Sequence, residues 1–84
     1  MNDTMGNDLD KKMEELSAQR HQLIDEASVY LPEEMRNFTT GVRIMVLREL
    51  VDTLKEPDRT KLSQILDTID ELGRELYDLM KRVL

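Results

Sequence analysis

The sequence predicts an all-α protein: an antiparallel three-helix bundle, or a long helical hairpin, dimerising through its second helix. Three observations carry this. First, the apolar residues Leu62, Ile65, Ile69, Leu72, Leu76, Leu79 and Val83 alternate in steps of three and four, the seam of a helix that packs on other helices. Second, Leu31-Pro32-Glu33-Glu34 and Glu56-Pro57-Asp58 use one device twice: a proline that suits a first helical position, followed by acid where the helix dipole favours negative charge. Third, no stretch alternates apolar and polar residues with the β-branched and aromatic content of a strand.

The helices are expected at about 8–30, 32–55 and 57–83, with residues 1–7 as a disordered tail before a single domain over 8–84. In the first helix, Asn7 is the expected N-cap, with Asp8 and Asp10 in the first turn. Leu9, Met13, Leu16, Leu23, Ala27 and Tyr30 form its seam, and Ile24 and Leu31 broaden it. Arg20 is the one polar residue in that seam. Such a residue either fixes register or partner choice at some cost in stability, with Asp70, near Gly73 in the third helix, as its expected partner, or snorkels out to water with its stem against the seam.

The second helix has a weak point. Thr39 and Thr40 precede Gly41, and glycine inside a helix costs about 1 kcal/mol relative to alanine. A split there would leave Thr40 to cap a separate second piece. After Gly41 the residues Val42, Ile44, Met45, Val46, Leu47, Leu50 and Val51 cover most of the helix circumference. A helix apolar nearly all round is buried on more than one side. Val42, Met45, Val46, Leu50 and Leu54 are therefore the expected anchors of a partner or dimer interface, with Arg43 and Arg48 as rim contacts. In the third helix Leu66 and Met80 widen the seam, and Lys81 and Arg82 complement the dipole in the last turn.

Composition narrows the function classes. Eighty-four residues make one small domain, for which oligomerisation is a common source of extra core. Charged residues are 36% of the chain and the net charge is −6, which on average repels nucleic-acid phosphate. The absence of cysteine excludes disulfides and thiolate metal sites. The first ten residues lack the basic-then-apolar order of a signal peptide, and the longest apolar run, 44–47, is far too short to span a bilayer. A cytoplasmic location with no membrane contact is expected.

Chemistry-bearing constellations are sparse. His21 and Asp25 share a helix face, but a metal site needs three or four converging ligands. The adjacent carboxylates Glu14-Glu15, Asp25-Glu26, Glu33-Glu34 and Asp70-Glu71 point about 100° apart on a helix, which suits solvated faces better than an acid–base pair. No glycine-rich phosphate loop or nucleophile–base arrangement is visible. The expectation is a non-enzyme with no catalytic, metal or cofactor site. It would be a small interaction module, a regulator, adaptor or secretion-type chaperone, that lays an apolar helix surface on a partner helix or on a second copy of itself. The alternative is a dimeric nucleic-acid-binding transcriptional regulator that uses Arg36 and Arg43, seven residues apart on one face.

Overall fold

A computed structural model describes residues 2–83, with side chains described for 8–82. Three α-helices pack on one another: α1, Asn2–Ala27; α2, Thr40–Leu50; and α3, Asp58–Val83. Single 3₁₀ turns at Ser28–Tyr30, Glu33–Met35 and Val51–Thr53 fill the connections. There is no strand among the described residues. The three-helix bundle is thus the fold of a single chain.

The helices are unequal, because α1 and α3 have 26 residues each and α2 has 11. At 1.5 Å per residue the long pair extends about 39 Å and α2 less than half of that. The molecule measures 53 × 23 × 18 Å. It is an antiparallel α1–α3 hairpin with α2 laid across one end. The core divides accordingly. At the covered end Ile24, Ala27 and Leu31 meet Ile44 and Leu47 of α2 and Leu62, Leu66 and Ile69 of α3. At the open end Leu16 meets Leu72 and Leu79, flanked by Leu9, Met13 and Leu76, with nothing from α2.

Two of the expected helices have other bounds. Helix α1 begins at Asn2, so the tail expected over 1–7 is helical from residue 2 and Asn7 is inside the helix; Met1 lies outside the described residues. The helix expected over 32–55 is only Thr40–Leu50. Proline does push Leu31 out of the helical region, to φ −82° and ψ 150°, and the acids follow it. Yet the restart dies after one 3₁₀ turn. Asn37, Phe38, Thr39 and Thr40 are all poor helix formers and come in a row. Thr39, extended at ψ 156°, and not Thr40, stands at the N-terminus of α2, and its carbonyl accepts the first helical bond from the Arg43 N–H at 3.0 Å. Arg36 fastens the connection by donating to the carbonyls of Leu31 at 3.3 Å and Val29 at 3.4 Å.

The second proline device works as expected. Helix α3 starts one residue past Pro57, and the Glu56 carboxylate caps it. Glu56 Oε1 accepts the Thr60 N–H at 2.9 Å, and the Thr60 hydroxyl donates to the same carboxylate at 2.7 Å. The hydroxyl and then the amide of Thr60 hold the Glu56 carboxyl below the usual carboxylate range, with Arg59 adding a smaller pull.

Gly73 faces Arg20 across the α1–α3 seam. A Cβ built on Gly73 would lie 3.6 Å from Arg20 Nε, an ordinary van der Waals contact. The space that the glycine leaves is therefore more than Arg20 needs. Gly73→Ala is expected to stabilise the fold by about 0.5–1 kcal/mol through helix propensity, seen as a higher urea midpoint. A loss of stability would mean that Arg20 requires the gap.

Candidate functional site

Helix α2 sorts its residues sharply between two sides. Ile44 and Leu47 point into the core, and Val46, Leu50 and, just beyond the helix, Leu54 pack at its edge. Three of the five expected anchors, Val46, Leu50 and Leu54, are thereby engaged within the chain. Val42 and Met45 face outward, one helical turn apart, 38% and 57% exposed. Phe38, just before the helix, is 44% exposed. It is the only phenylalanine in the chain, and an interface expected to begin at Val42 passes over it. Its signal was its place four residues before Val42, although Phe38 and Thr39 themselves lie outside α2, which begins at Thr40.

The arginines separate as well. Arg43 is not a rim residue. It is 8% exposed, and its Nη1 donates to Asp25 Oδ1 at 3.2 Å and to Ser28 Oγ at 3.0 Å. Ser28 passes the chain of bonds on to the Ile24 carbonyl at 2.7 Å. Two neighbours explain this inward turn: Ile44 and Leu47 must face the core, and residue 43, four before Leu47, lies about 40° round from it on the side that meets Asp25 and Ser28. Arg36 is bound to backbone carbonyls, so Arg36 and Arg43 do not form a shared exposed patch for phosphate.

Arg48 takes the partner expected for Arg20. It forms an ion pair with Asp70 that ties the last turn of α2 to α3. Arg20 is half-buried beside Gly73 instead, and its Nε is buried with no acceptor. The reason is geometric: α2 lies across the hairpin at this level, and its arginine reaches Asp70 from outside the seam. Arg20, Arg48 and Asp70 then share a cleft with Arg74, Tyr77 and Asp78 of α3.

On α3 the outer side carries Tyr77 and Met80, both exposed, with the Lys81 ammonium 4.6 Å from the centre of the Tyr77 ring. Met80 is thus outside the seam that it was expected to widen, whereas Leu66 is inside it. His21 lies 3.8 Å from Asp25, whose other oxygen serves Arg43. Among the described residues no three His, Asp or Glu side chains converge as metal ligands, and no helix is long and apolar enough to cross a membrane.

No family model, curated protein or solved structure matches this chain.

Proposed function

We propose that the protein is a small helical interaction module whose contact surface is the outer side of α2. One observation supports this reading above the others. Val42 and Met45 are exposed side by side on a helix whose opposite side is fully used by the core, and Phe38 adds an exposed aromatic ring next to it. Large apolar side chains grouped in this way stabilise a complex when covered and gain nothing in water. Met45 is flexible enough to fit a partner surface, and its placement at helical spacing with Val42 suits an apolar helix laid alongside. The partner is another polypeptide, or a second copy of this chain joined to it as a homodimer. The regulator, adaptor and chaperone roles all use such a surface.

The test is a photo-crosslinking amino acid placed at Met45 in the native host, with a control at the exposed Asp67 on α3. Light should join position 45 to one defined product, either a second copy or a distinct protein, and Val42→Asp should remove that product while thermal unfolding stays within about 0.5 kcal/mol of the parent. A pattern at position 45 no different from the Asp67 control would dispose of the proposal.

A further inference from the structure

Beside the last turn of α2 a cleft of about 520 Å³ opens between α1 and α3. Its charges are opposite to those of the molecule. The chain carries a net −6, yet this cleft sets Arg20, Arg48 and Arg74 against Asp70 and Asp78. Arg48 and Asp70 satisfy each other. Arg20 and Arg74 make no ion pair among the described residues, and Arg20 Nε is buried with no hydrogen-bond acceptor. The Arg20 Nε–H has therefore lost hydration that no described residue replaces. With Asp78 as the one uncommitted acid, the cleft is left with a single unit of positive charge.

We infer that this cleft receives a carboxylate, from an aspartate or glutamate side chain of a partner polypeptide, between Arg20 and Arg74. A planar carboxylate matches the fork of a guanidinium and can be held by two such groups at once. The single net charge matches a monoanion. A phosphate dianion would exceed it. Placement favours a polypeptide as bearer. Arg48 is three residues after Met45, so the two are neighbours on α2, and a segment lying over Val42 and Met45 arrives at the cleft mouth. This inference deepens the proposed function. It rests on that reading for the bearer of the carboxylate, and on the cleft alone for the carboxylate.

Titration of the ¹⁵N-labelled protein with the α-amide of N-acetylglutamate at low ionic strength tests it, with the glutamine analogue as neutral control. The amide signals of Gly73, Arg74 and Tyr77 should shift saturably, in the low millimolar range, with the glutamate compound only. The exposed Arg74→Gln, which leaves the core untouched, should weaken binding about tenfold. Added salt should weaken it as well. Equal shifts with both compounds, no saturation, an unchanged affinity in Arg74→Gln, or tighter binding of inorganic phosphate would each overturn the inference. If the titration succeeds while the cross-link at position 45 fails, the carboxylate site stands and its partner-borne source falls. The reverse pattern removes this inference and leaves the interaction surface.

Discussion

Leu47→Ala is expected to cost about 3 kcal/mol and to lower the melting temperature by about 15 °C. Leu47 is fully buried, at 0% exposure, and is the residue through which α2 enters the core formed by Ile24, Leu62 and Ile69. Its truncation removes apolar burial and leaves a cavity that two long helices, already in contact, cannot close by moving together. Because α2 is short, it has little else to hold it. Only Ile44 joins Leu47 among its deeply buried apolar residues. Leu16→Ala, in the two-helix half, should cost less, about 2 kcal/mol, because water and neighbouring side chains reach that seam more readily. The comparison is made from urea midpoints at one protein concentration, so that association does not shift them unequally. A cost for Leu47→Ala below that for Leu16→Ala would show that the third helix is not seated in the core.

The hairpin was legible because its signal is redundant. Seven seam positions over 62–83 repeat one spacing, and the loss of any single one would not hide it. The proline boundaries were legible because proline acts locally, through its own φ and its effect on the residue before it. Helix α2 was harder. Its residues are apolar on nearly every side, so periodicity could not say which side faced the core, and the five anchors taken together mix inner and outer positions. Its true start depended on a competition between the dipole benefit of Glu33 and Glu34 and the poor helix propensity of 37–40, which local rules do not resolve. The arginines were harder still. Arg48 and Arg20 both point toward α3, and only the path of α2 across the hairpin decides which of them reaches Asp70. Such a choice depends on tertiary geometry, and sequence spacing carries no trace of it.

The Arg43–Asp25 pair gives a second large and asymmetric result. Removing the acid should be worse than removing the base. Asp25→Ala leaves the guanidinium of Arg43 almost wholly enclosed, with Ser28 Oγ as its one remaining acceptor, and is expected to cost about 2 kcal/mol. Arg43→Met leaves Asp25 in a different position, because the Asp25 side chain is more than half exposed and water takes over its hydrogen bonds. The methionine keeps the apolar stem against the core and removes Nε, which is buried with no acceptor. Arg43→Met should therefore fall within about 1 kcal/mol of the parent, on either side. The Ser28 hydroxyl retains its bond to the Ile24 carbonyl in both variants, so α1 keeps its own end intact and the comparison reports on the pair. In the double variant, Arg43→Met should erase most of the cost of Asp25→Ala, since no enclosed charge is left to compensate. If Arg43→Met proves the more damaging of the two single changes, the pair supplies net stability to the fold. If instead the asymmetry holds, Asp25 serves chiefly to make an inward arginine tolerable, and α2 owes its seat to Leu47 and Ile44.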